Sequence, residues 1–152
     1  MASVERYYFP ADRWYESREH LWVLPDEPGG AADPPATPVI VTVGVDALGQ
    51  ELLGDVAYVE LPEPGAELRR GEAVGSLEAE KMVRPIVAPV SGAVLVVNEA
   101  LLATPRLLNR EPYGEGWLFR VRASRWHEER DDLLHDEAAV ADWAREEIEA
   151  NR

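Results

Sequence analysis

Short β-branched and apolar runs, each cut by glycine or proline within a few residues, constrain this chain more than any other feature. Val39-Ile40-Val41-Thr42-Val43, residues 55–61, 73–77, 86–90, 93–97 and 117–122 all read as strands. Pro62-Glu63-Pro64-Gly65, Leu68-Arg69-Arg70-Gly71-Glu72 and Ser91-Gly92 supply turns between them. An aromatic-rich opening adds short strands around 13–15 and 21–24. Helices are peripheral. Asp46 caps a helix over 47–53 that Gly54 ends, Asn98 caps one over 99–102, and residues 105–108 add a turn. From about 131 to 151, Leu133, Val140, Ala144 and Ile148 mark one apolar face of an otherwise acidic helix that packs on the β core. Residues 26–38, with Pro28, Pro34, Pro35 and Pro38 around Gly29 and Gly30, read as a mobile loop joining two strands. Many short strands with few helices predict a small, mainly β sandwich or barrel-like domain. A weak echo of Val59–Gly65 in Ile86–Gly92 hints at two related halves.

Composition narrows the function. At 152 residues and 16.9 kDa the chain fits one domain with a modest core. Its net charge of −14 disfavours nucleic acid and anionic membrane, and suits either simple solubility or docking on basic partner surfaces. The absence of cysteine excludes disulfides, thiolate metal sites and cysteine nucleophiles. No apolar run reaches membrane length and no signal-peptide pattern opens the chain, so the expected location is the cytoplasm. His20, His127 and His135 lack metal-ligand spacing, Ser91 lies outside Gly-x-Ser-x-Gly, and there is no phosphate loop. The expectation is a chain without a metal or catalytic site of its own.

Lys81 stands apart. It lies between the strand-like runs 74–77 and 86–90, at the tip of an expected hairpin. An exposed turn is the usual place for a solvated lysine, and also where a modifying enzyme could acylate the amine. Spacing alone leaves both readings open.

The residues around it resemble the attachment hairpin of biotinyl and lipoyl carrier domains, in which the modified lysine precedes an Ala-Pro-Val-x-Gly turn, here Ala88-Pro89-Val90-Ser91-Gly92. More of the chain is similar to the glycine cleavage system H protein family. The similar stretches are Glu19-His20-Leu21-Trp22-Val23, residues 53–65 (Leu-Gly-Asp-Val through Glu-Pro-Gly), Val97-Asn98-Glu99-Ala100-Leu101 and residues 108–119. The resemblance implies a hybrid barrel-sandwich of antiparallel strands with short peripheral helices and a C-terminal helix. It implies a lipoyl carrier domain over 1–125, with residues 126–152 as a helical extension packed on it. It also implies lipoate bound covalently to Lys81 as a swinging arm, a lipoate ligase or lipoyl transferase that recognises Glu78, Glu80 and Met82, and partner enzymes of a multienzyme pathway. In such a system the cofactor does the chemistry and the protein presents it.

Departures from the family pattern leave alternatives. Met82 is what a biotin domain places after its lysine, whereas Glu80 is closer to the acidic neighbour in lipoyl domains. Where the family has a carboxylate, a histidine and an aspartate around the arm, this chain has Leu21, Leu52 and Pro85. Those side chains cannot partner an amine-bearing intermediate. The pathway is therefore glycine cleavage or that of an H-like lipoate-binding protein of heterodisulfide-reductase-like sulfur oxidation, with a biotin carrier as the third reading. Trp22, Trp117 and Phe119 are expected in the core, residues 113–116 in a tight turn, and Arg84 in solvent.

Overall fold

The computed structural model describes residues 2–27 and 39–152. Most of the expected mobile loop, 28–38, lies outside them. Asp26, assigned to that loop, is tied down: its N–H donates to the Ile40 carbonyl, and its carboxylate accepts from the Arg120 guanidinium.

In chain order the strands are β1 (Ala2–Val4), β2 (Tyr7–Phe9), β3 (Trp14–Glu16), β4 (Leu21–Pro25), β5 (Val39–Val45), β6 (Val56–Glu60), β7 (Glu67–Leu68), β8 (Ala73–Ala79), β9 (Val83–Val87), β10 (Gly92–Val97) and β11 (Phe119–Ala123). The helices are α1 (Ala47–Leu53), α2 (Glu99–Ala103), α3 (Leu107–Arg110), α4 (Trp126–Glu129) and α5 (Glu137–Ala150). All strand pairs are antiparallel. They form three separate sheets: β1-β2, β3-β4-β5-β11-β10-β7 and β6-β8-β9.

The mainly β hybrid barrel-sandwich therefore needs correcting. Among the described residues no sheet closes, and five helices make the architecture a mixed β/α one. The physical reason lies at the edges. β7 is only two residues long and offers too little ladder to continue the sheet. The opposite edge, β3, is covered by a single bridge between Tyr15 and Leu134, in the segment leading to α5, so no strand is left to join the two.

The six- and three-stranded sheets share one apolar core: Val41, Val43, Val121 and Phe119 from the first meet Val56, Val59, Leu77 and Ile86 from the second. A second cluster holds the chain ends. Ala2, Val4 and Phe9 of the β1–β2 hairpin bury against Val140, Ala144 and Ile148 of α5, over Tyr15, Trp22 and Leu48. Trp22 lies flat across β5, where a Cβ on Gly44 would stand 2.2 Å from its ring, so only glycine fits beneath it. Its indole N–H donates to the Pro112 carbonyl at 2.9 Å.

The strand and helix expectations hold within a residue or two for β3, β4, β6, β10, β11, α1 and α2. The expected helix from 131 does not. α4 and a 3-10 turn, Arg130–Asp132, come first, and α5 starts only at Glu137, where the Asp136 carboxylate accepts from the Ala139 N–H. Leu133 belongs to the main core rather than to the face of α5. The β1–β2 hairpin was not expected at all. Asn98 precedes α2 without capping it; its amide instead donates to the carbonyls of Glu115 and Trp117, at 2.7 and 2.8 Å.

Candidate functional site

The site is built from α1 and the hairpin that lies against its end. α1 starts where Asp46 Oδ1 accepts the Gly49 N–H at 2.7 Å, and it buries Leu48 and Leu53. It stops at Gly54, whose backbone (φ 80°, ψ −163°) is in a region essentially reserved for glycine. That turn aims the carbonyls of Leu53 and Asp55 at the β8–β9 hairpin. Lys81 N–H donates to Leu53 O at 3.0 Å, and Glu80 N–H to Asp55 O at 2.9 Å. Ala79 N–H closes the turn on Met82 O at 2.9 Å. Three successive amides at the tip are thus committed, so the backbone of Lys81 is held from its own hairpin and from α1.

The Lys81 side chain is treated quite differently. It is exposed, and its Nζ has one long bond, 3.3 Å, to the carbonyl of Glu51. A single exposed bond of that length is easily exchanged for water, so the amine is available for acylation while its Cα stays fixed.

Of the other residues singled out, Glu78 is exposed on β8, and Glu80 and Met82 are exposed beside Lys81. Arg84 is not a solvated arginine. It pairs across β8 with Leu77, and its guanidinium donates to the Glu19 carbonyl. Leu21 is buried in the main core, Leu52 is half-buried, and Pro85 is exposed on β9, an edge strand where a missing N–H is tolerated.

Three supporting groups were missed. Asn109, on α3, locks the seat of the hairpin: its Nδ2 donates to Gly54 O at 2.8 Å and to Gln50 Oε1 at 3.1 Å, and its Oδ1 accepts from Val56 N at 2.9 Å. Tyr113, read only as part of a turn, accepts the Ala47 N–H at 2.9 Å, and burial pushes its phenol pKa well up. The third is buried His20, in a left-handed backbone conformation (φ 55°). Its Nε2 is 2.9 Å from Glu147 on α5, and its Nδ1 is 3.5 Å from Asp46 Oδ2. Burial pulls the imidazole pKa down, but the hydrogen bond and charge of Asp46, with Glu147, outweigh it and leave the pKa raised. No sequence spacing links residues 20, 46 and 147, and a single asparagine in a loop-like stretch carries no pattern.

Beside Lys81 a cleft of about 260 Å³ opens between the β1–β2 hairpin and α5, lined by Glu5, Arg6, Tyr7, Leu48, Leu52, Ile148 and Arg152 among others. Ion pairs Arg6–Glu51 and Arg152–Glu5 join its residues. No group of three or more His, Asp or Glu able to hold a metal occurs among the described residues, and none of their helices is long and apolar enough to cross a membrane.

A backbone pinned from two sides beneath one available amine defines a carrier, a protein that presents a group at a fixed point. The comparisons with known proteins say which kind. The glycine cleavage H-protein family model matches residues 34–146. The glycine cleavage system H protein of Beutenbergia cavernae is 47% identical over 112 residues, 74% of this chain and 81% of the relative. That of Corynebacterium jeikeium is 43% identical over 132 residues, 87% of this chain and 94% of the relative. The crystal structure of the Mycobacterium marinum glycine cleavage system H protein superposes with a TM-score of 0.67 at 38% identity, covering 76% of this chain and 87% of that one. The chain belongs to the glycine cleavage H-protein family, whose members are non-catalytic lipoyl carriers. That assignment selects the lipoyl over the biotin reading.

Proposed function

We propose that Lys81 is the lipoyl attachment point and that the arm shuttles covalently bound intermediates between enzymes of glycine-cleavage type. The observation that carries this is the contrast at the hairpin tip, a fixed backbone at Glu80 and Lys81 beneath an exposed amine. Attachment forms an amide: Nζ attacks the adenylated carboxyl carbon of lipoate, AMP leaves, and the nitrogen gives up a proton. Tethering keeps the group at high effective concentration for each partner. In this reading a lipoate ligase or lipoyl transferase recognises Glu78, Glu80 and Met82. The carrier domain spans 1–125 with 126–152 packed on it as an extension, and the protein works in the cytoplasm.

Intact-mass measurement of protein from a lipoylating host tests the attachment. A lipoyl adduct on the wild type and none on Lys81→Arg is expected; no adduct, or one that survives the substitution, refutes it.

One observation favours a second reading of the cargo. Leu21, Leu52 and Pro85 offer no side-chain polar group to an amine-bearing intermediate, which suits an H-like lipoate-binding protein of a sulfur-oxidation pathway. Loading the lipoylated chain with a glycine decarboxylase separates the two. Efficient aminomethylation supports glycine cleavage and excludes the paralogue.

A further inference from the structure

The outer face of the β6-β8-β9 sheet is chemically unlike the rest of the surface. Tyr58 pairs with Glu78, and Glu78 pairs with Val83, so the three side chains stand in one row on one face. Tyr58 is 56% exposed and Val83 67%, and Met82, also exposed, follows at the turn. The next row on that face is Glu60, Ser76 and Pro85. Tyr58, Met82 and Val83 are half of the six exposed large apolar side chains among the described residues, and all three belong to the sheet that carries Lys81. Cross-strand spacing puts Tyr58 and Val83 about 10 Å apart, and Lys81 lies two residues beyond Val83.

The charges on this face have one sign. Glu60 and Glu78 are exposed on it, with Glu80 at the tip. Arg84 is opposite buried Leu77 and so is turned to the other side, where it holds the Glu19 carbonyl. Arg106 is paired with Asp55 at 3.4 Å, off the row. An apolar row interrupted and edged by carboxylates is complementary to an apolar slot rimmed by lysine and arginine.

We infer that the Tyr58–Glu78–Val83 row is the docking surface for the enzyme that acylates Lys81, with the Tyr58 ring seated in an apolar, cation-rimmed slot beside that enzyme's active site. This rests on Lys81 being the acylated residue. The hairpin turns the row and the amine toward the same approaching surface, so docking on the row delivers Nζ without unfolding the tip.

The test uses the full unmodified chain, lipoate, ATP and a lipoate ligase, with acylation followed by mass. Aromatic anchors dominate such interfaces, so Tyr58→Ala should raise KM about tenfold or more while kcat stays within about twofold. Val83→Ser should raise KM by a smaller factor. Val96→Ala, at an exposed apolar position on β10 in the other sheet, should change nothing. KM for the wild type should rise with salt, and less so for Glu78→Gln. A Lys81→Arg chain should still compete with the wild type for the ligase, and Lys81→Arg/Tyr58→Ala should not. Unchanged KM in Tyr58→Ala and Val83→Ser, or equal competition by the two Lys81→Arg chains, overturns the docking surface. A wild type that is not acylated at Lys81 overturns the attachment reading beneath it, a distinguishable failure.

Discussion

Replacing Gly54 with alanine isolates what holds the lysine hairpin in place. Two costs arise. The first is backbone: φ 80° and ψ −163° are strained for any residue with a Cβ, at roughly 1–3 kcal/mol. The second is steric. The new Cβ would stand 3.1 Å from Glu80 Oε1 and 3.2 Å from Lys81 Cγ. Both atoms belong to exposed, flexible side chains that can give by a few tenths of an ångström, so the backbone term dominates. A loss of about 2 kcal/mol should lower Tm by about 4–8 °C in a chain of this size. Gly65→Ala is the control: φ is 90° there, but no atom lies within 4 Å of the added Cβ, and the site is remote from the hairpin. Both variants should lose stability. Only Gly54→Ala should loosen the bonds from Glu80 and Lys81 to Asp55 and Leu53, raising exchange of those two amides about five- to thirtyfold beyond any global change. Hydrogen exchange read by NMR measures this residue by residue. Unchanged Tm in Gly54→Ala, or equal loss of protection in both variants, would refute the idea that this turn seats the tip.

Asn109→Ala strands the Gly54 carbonyl and the Val56 amide at once; with about 1–3 kcal/mol for each group left unpaired, urea unfolding should show a loss of about 2–4 kcal/mol. Phe119→Ala removes a fully buried ring between β5 and β10 and should cost about 3–5 kcal/mol in the same assay. His20 has a raised pKa in the folded chain, so its contribution to stability is complete below the ordinary imidazole value near ~6.5 and is lost as pH rises through the folded value. Tm should therefore fall over that interval in the wild type and fall less in His20→Gln.

Much of this was legible because it is local. Asp46 at the start and Gly54 at the end of α1 announce themselves through capping chemistry, and Val39–Val43 through β-branching. The Lys81 hairpin was legible as two strands around a lysine, although β9 begins at Val83 rather than Ile86 because Pro85 sits on an edge. What failed was decided by distant partners. Leu133 has the spacing of the α5 face, yet Leu134 bridges Tyr15 and pulls Leu133 into the other core. Asn98 and Asn109 look like loop residues until the carbonyls they reach, from Glu115, Trp117 and Gly54, are brought beside them. Barrel closure failed for the same reason, since what covers the edge of β3 lies over a hundred residues away.

The cleft beside Lys81 bears on how the protein is handled. Glu5, Arg6, Asn151 and Arg152 line it together with the lysine, so both ends of the described chain converge on the reactive amine. Any polypeptide joined after Arg152, natural or appended for purification, leaves the fold next to Nζ. Affinity handles there would crowd the amine and slow every enzyme that must reach it. Rates measured on tagged protein would then report the handle as much as the carrier, and cleaving it before assay should restore them.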